Sequence, residues 1–127
     1  MAVEEAIVGA FTSTEKFRRM FKTLTSTAVT LFFNDRKLYD LAAASAREGW
    51  GASQAFIERV TQILTEIIRE GRENGEFERK TPLDETVNAI FLVMTPLLNP
   101  LLLQYQLDRI EEAQVQLSNL VLRSLAP

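Results

Sequence analysis

From Thr86 to Leu107 the chain carries 22 residues without a single charge, bounded by Glu85 and Asp108. A run of that length could cross a bilayer. Asn88, Thr95, Pro96, Asn99, Pro100, Gln104 and Gln106 interrupt it, however, and such groups are costly in hydrocarbon. A helix shared between two packed protein surfaces accommodates the same composition, so a buried helix and no membrane partner are expected. This helix is predicted from about Pro82 to Gln104. Thr81, Pro82 and Asp84 supply its N-cap, first position and an early carboxylate. Pro96 and Pro100 each remove a backbone donor and are expected to kink it.

The rest of the chain reads as helix too, because no segment sustains the apolar/polar alternation of a half-buried strand. Val3, Ala6, Ile7 and Ala10 mark a short first helix. Thr12 with Glu15 forms a capping box that opens a second. Its apolar stripe runs through Phe17, Met20, Phe21, Leu24, Ala28, Leu31 and Phe32. Asn34 or Asp35 caps a third, carrying Leu38, Leu41 and Ala42 and ending near Gly49. Ser53 is expected to cap a long fourth helix with Phe56, Val60, Ile63, Leu64 and Ile67 inward, stopping at Asn74-Gly75. On its outer face Arg69 and Glu73 have the spacing of a weak ion pair. Asp108 with Glu111 is expected to open a sixth, whose stripe is Ile110, Ala113, Leu117, Leu120, Val121 and Leu125. The expected fold class is all-α, with about six helices in one domain over residues 1–127 and no repeat.

Several kinds of chemistry are excluded at the level of residue types. The chain has no Cys and no His, which removes disulfides, thiol nucleophiles, zinc-finger ligands and imidazole acid–base catalysis. The lack of Cys suits the cytoplasm. No glycine-rich phosphate loop or nucleophile elbow is present. Glu66 and Glu70, one turn apart, read as a solvated helix face rather than a catalytic pair. No enzyme activity, metal or cofactor is expected. A net charge of −3 gives no general attraction to phosphate backbones, and the trio Arg18, Arg19 and Lys22 reads as another solvated face.

A helix that is apolar on every face must be covered on every face. The fifth and sixth helices form the terminal hairpin, and the sixth also carries Val115 and Leu122 off its main stripe. Two such hairpins joined as a four-helix bundle would cover these surfaces, so a homodimer is expected. Its interface is placed at Leu98, Leu101, Tyr105, Leu117, Leu120 and Val121. The stripes of the second, fourth and fifth helices mix aromatics with scattered neutral polar groups. That mixture suits a ligand cavity that is greasy with a few orienting hydrogen bonds. The cavity is placed among Phe21, Thr25, Phe56, Val60, Leu64, Asn88, Phe91 and Thr95, with Trp50, between two glycines, near its mouth. Its occupant is expected to be a small hydrophobic, neutral or weakly polar molecule.

Three stretches carry a family resemblance. They are Phe33-Asn34-Asp35-Arg36-Lys37-Leu38-Tyr39, then Ile67-Ile68-Arg69-Glu70-Gly71-Arg72-Glu73-Asn74-Gly75-Glu76-Phe77, then Pro82-Leu83-Asp84. Their order resembles the C-terminal domain of the TetR family of bacterial transcriptional regulators, over about residues 11–125. The resemblance implies a first segment that opens a helix beside a ligand cavity. It also implies a second that ends a long helix before an acidic-aromatic pair, and two last helices that build the dimer bundle. Members also carry an N-terminal three-helix unit with a helix-turn-helix, and nothing in this sequence corresponds to it. Residues 1–11 would then be the remnant of a linker helix. The implied function is effector binding and dimerisation in a cytoplasmic repressor. DNA would be bound only by the full-length protein, not by this chain alone. The alternative is a stand-alone helical dimer that binds partners or hydrophobes and has no DNA-related role.

Overall fold

In a computed structural model the chain is all-α, and the structure describes residues 2–127. Helix α1 spans Ala2–Ile7, α2 Ser13–Asn34, α3 Arg36–Glu48 and α4 Gly51–Glu73. After a loop come α5, Leu83–Leu98, and the single turn α6, Pro100–Leu103. A 3-10 segment, Gln104–Arg109, leads into α7, Ile110–Leu125. The core lies between α2, α4, α5 and α7, where Phe17, Met20, Phe21, Leu64, Ile68, Met94 and Leu97 are fully buried. Helix α1 packs on α2, and Arg59 of α4 holds it there through Glu4 at 2.6 Å.

The start of α2 is fastened twice. Thr12 Oγ1 accepts the Glu15 amide at 3.0 Å, while the Glu15 carboxylate accepts the Phe11 amide, one residue before the partner of an ordinary capping box. From the far side of the domain, Glu76 accepts the amides of Ser13 at 2.9 Å and Thr14 at 3.2 Å. These are donors that the first turn of a helix leaves without partners. Burial alone would raise the Glu76 pKa. The Ser13 and Thr14 amides, with Asn74 and the Ser13 hydroxyl, outweigh that and hold it below the ordinary carboxylate value. Asp35 caps α3 through the Leu38 amide, and Gly49 ends it in the left-handed conformation at φ 69°.

Helix α4 departs from its expected start. It begins at Gly51, with Trp50 in the cap position and no side-chain cap, so Ser53 lies inside the helix. Its expected surface pair, Arg69 with Glu73, does not form; Glu70 instead meets Lys16 of α2 at 2.7 Å. Near its end Gly71 is buried, and the Phe77 ring lies directly on it. A Cβ at Gly71 would fall 2.0 Å from Phe77 Cδ2. The Phe77 amide also donates to the Gly71 carbonyl at 3.0 Å.

The expected fifth helix is in fact two. Pro82 precedes α5 without a side-chain cap, and the Lys80 and Thr81 amides are taken by Glu78 instead. Pro96 sits inside the last turn, and the helix stops at Leu98. Pro100 has no N–H to continue it, and its ring drives the preceding residue out of the helical region. Asn99 accordingly adopts φ −85°, ψ 120°, and its side chain caps α6 through the Leu101 amide at 2.9 Å. The break turns the segment that follows by 51° from α5. Asp108 does not cap α7, because the 3-10 segment runs through it to Arg109. Among the described residues no single helix is long and apolar enough to cross a membrane. Nor is α5 covered all round within the protomer: Leu92 is 63% and Val93 41% exposed.

Candidate functional site

Between the second half of α2, the inner face of α3, the start of α4 and the end of α5 lies a cavity of about 590 Å³. Leu24, Ala28 and Leu31 line it from α2, and Leu38, Leu41, Ala42 and Ser45 from α3. Phe56, Leu97, Leu98 and Pro100 form the opposite wall, while α1 closes one end with Val3. Trp50 and Leu41 border it and are about half exposed, so the cavity opens toward solvent beside the α3–α4 corner.

The local sequence explains why space remains there. On the face that α3 turns to the cavity, Ala42 and Ser45 stand one turn apart, side chains too short to reach the walls opposite. The helix cannot collapse inward, because Tyr39 fixes its first half. The Tyr39 ring is buried edge-on against Phe32 at 4.9 Å, and its hydroxyl donates to the Pro100 carbonyl. Burial raises the Tyr39 pKa, so the phenol stays a donor. Arg36 lies 3.9 Å over the other side of the same cluster, above Phe32. At the far end of α3 the Gly49 stop and the Trp50 amide, which donates to the Ser45 carbonyl at 3.0 Å, set the corner.

Among the described residues the lining carries no Asp, Glu, Lys or Arg. Its polar side-chain groups are the hydroxyls of Thr27, Ser45 and Ser53 and the indole N–H of Trp50. Ser45 Oγ is buried and has no hydrogen-bond partner. Buried helical hydroxyls elsewhere are satisfied: Thr25 donates to the Phe21 carbonyl at 2.9 Å, and Ser118 accepts from Gln114 at 3.0 Å.

Of the residues placed at the cavity from sequence, Trp50 and Phe56 line it. Phe91 and Thr95 border a separate pocket of about 70 Å³ that also touches Phe56. Phe21, Val60 and Leu64 are closed inside the core, and Thr25 is buried beside them with its hydroxyl spent on its own helix. Asn88 faces solvent on the outer side of α5. The residues not anticipated are those of α3, together with Val3, Leu24, Ala28 and Leu31 and, across from them, Leu97, Leu98 and Pro100. The signal on α3 was the pair of short side chains Ala42 and Ser45, opposite a stripe rich in Leu and Phe.

The residues placed at a dimer interface also divide. Tyr105 and Leu120 are 74% and 58% exposed, whereas Leu98 and Val121 are turned into the protomer's own core. Leu101 and Leu117 are half-buried. The apolar groups left outside on α5 and α7 are Leu92, Val93, Val115 and Leu120, with Leu102 and Tyr105 between the two helices.

These features define an all-α domain with an open, charge-free lipophilic cavity and a second apolar face turned outward. The family model described as the tetracyclin repressor-like, C-terminal domain matches residues 13–117. The chain belongs to this family. No curated protein and no solved structure matches it.

Proposed function

We propose that this chain is the effector-binding and dimerisation domain of a cytoplasmic TetR-like repressor, without catalytic activity of its own. A small hydrophobic effector would occupy the cavity between α2, α3, α4 and α5. Its occupancy would then set the affinity of the regulator's DNA-reading unit through different affinities for two arrangements of the dimer. The observation that carries this reading is the cavity itself. Its volume of about 590 Å³ and uncharged lining fall within what small-molecule sites ordinarily have.

The outward faces of α5 and α7 support the dimer. Leu92, Val93, Val115 and Leu120 are more apolar surface than a lone helical hairpin needs to show water, and a two-fold copy would cover them. A thermal-shift screen of hydrophobic compounds, read beside light scattering, tests both halves. The expected result is twice the chain mass and a ligand-dependent rise in Tm of a size set by mass action. A monomer of unchanged Tm across the screen would overturn the reading.

A further inference from the structure

The unpartnered Ser45 hydroxyl says more about the occupant than the cavity's size does. A buried hydroxyl without a partner is destabilising, and helical Ser or Thr ordinarily relieves this by bonding a carbonyl one turn back. Thr25, Thr65, Thr86 and Thr95 all do so. Ser45, on the cavity wall, does not. Beside it, Ala52 belongs to the first turn of α4, which no side chain caps and whose Ser53 amide already donates to the Trp50 carbonyl at 3.0 Å. The amides of such a turn suit a partly negative oxygen better than another donor. A full ionic charge is a different matter, because among the described residues no Lys, Arg, Asp or Glu in the lining would offset its desolvation.

We infer that the cavity takes an uncharged lipophile bearing one hydroxyl or carbonyl oxygen, and that Ser45, whose Oγ is covered in this structure, turns about χ1 to receive this oxygen. The inference rests on the effector-binding reading and narrows it to a chemical class. The remaining wall, from Leu24 through Leu41 to Phe56 and Leu97, accepts hydrocarbon and offers nothing to orient it. Thr27 and Trp50 are exposed and Ser53 half-buried, so Ser45 is the buried polar point at which register is set, and the rest of the molecule is held by exclusion from water.

Trp50 is the one tryptophan of the chain and borders the cavity, so its fluorescence reports occupancy directly. The test titrates the intact chain with four probes of equal chain length: dodecan-1-ol, dodecane, dodecanoate and dodecyltrimethylammonium. The alcohol is expected to bind about tenfold or more tighter than either ion. Ser45→Ala is expected to weaken the alcohol about 3- to 10-fold, as loss of one hydrogen bond does, and to leave dodecane unchanged. The unliganded variant should melt no lower than the parent, since it loses only an unsatisfied group. An ion that binds as well as the alcohol would overturn the inference while leaving effector binding intact. A Ser45→Ala variant that holds the alcohol as tightly as the parent would remove Ser45 from the role. If none of the four probes binds, the effector-binding reading falls and this inference with it.

Discussion

Replacing Gly71 with Ala puts a methyl group where the Phe77 ring already is. In an unencumbered helix interior the change would stabilise by about 1 kcal/mol, because Ala has the better helix propensity. Here the new Cβ would stand 2.0 Å from Phe77 Cδ2, 2.4 Å from Cε2 and 2.8 Å from Cγ, against 3.4 Å for the start of ordinary contact. Three atoms of one rigid ring are involved, so a ring flip does not clear the site. Phe77 must leave its position or α4 must move. Phe77 is 3% exposed, and losing a buried Phe costs about 3–5 kcal/mol. Setting the propensity gain against the lower end of that range leaves a net loss of about 2 kcal/mol. For a chain of this length that corresponds to roughly 8 °C in Tm. Urea unfolding followed by circular dichroism, at one fixed protein concentration, measures it. The decisive arm is the double variant. With Phe77→Ala already in place the methyl group no longer meets the ring, and Gly71→Ala should then stabilise by about 1 kcal/mol. The change of sign is a coupling of about 3 kcal/mol, at the upper end for contacting residues. A Gly71→Ala variant that is more stable than the parent, by the same amount in both backgrounds, would refute the argument.

Leu92→Glu combined with Leu120→Glu should convert a dimer to a monomer in light scattering while the fold is kept, since both side chains already stand in water within the protomer. An unchanged dimer mass at micromolar concentration would place the interface elsewhere. Glu76→Gln should lower stability at neutral pH by about 1 kcal/mol, the usual worth of a side-chain cap. Because Glu76 has its pKa lowered on folding, its contribution is present above the ordinary carboxylate pKa and fades as pH falls through the lower folded value. The gap between parent and variant, followed by denaturant titration, should therefore close below about pH 4, as the carboxylate protonates; a gap that widens on acidification would contradict this. Tyr39→Phe should cost about 1 kcal/mol through loss of the bond to the Pro100 carbonyl, read from thermal melting. Unaltered stability would mean that water replaces the bond without loss.

The elements that could be read from sequence are those whose signals are local. Thr12 with Glu15, Asp35, Gly49 and Gly75 act within a few residues of themselves, and each helix boundary they mark is found where expected. The caps at Ser53, Thr81 and Asp108 had the same local chemistry but lost to neighbours. Gly51 lets α4 begin early, Glu78 takes the amides before α5, and the 3-10 segment absorbs Asp108. The cavity was harder for a different reason. Periodicity tells which side of a helix points inward, not whether the opposite side reaches it. Phe21, Val60 and Leu64 point inward onto filled space, and Leu41 and Phe56 onto a gap. Only the short side chains of Ala42 and Ser45 on the inner face of α3 distinguish the two. Asn88, a polar residue in an apolar run, looked like a handle for a ligand; it lies on the side of α5 that the protomer leaves open.

The break at Asn99 has a mechanical consequence. Leu97, Leu98 and Pro100, on either side of it, belong to the cavity wall, and α7 follows after nine more residues. Helix α7, with 16 residues, is a lever about 24 Å long. A rotation of about 5° about one end of such a lever would carry the other end through roughly 2 Å. The far end of α7 is tethered: the Leu125 carbonyl accepts the Glu78 amide at 2.7 Å, in the loop next to Phe77. A lever fixed at its tip and driven at its root pivots about the tether, so a change in the bulk of what would fill the cavity displaces the root of α7 at Ile110 most and is passed, diminishing, to the outward-facing Val115 and Leu120.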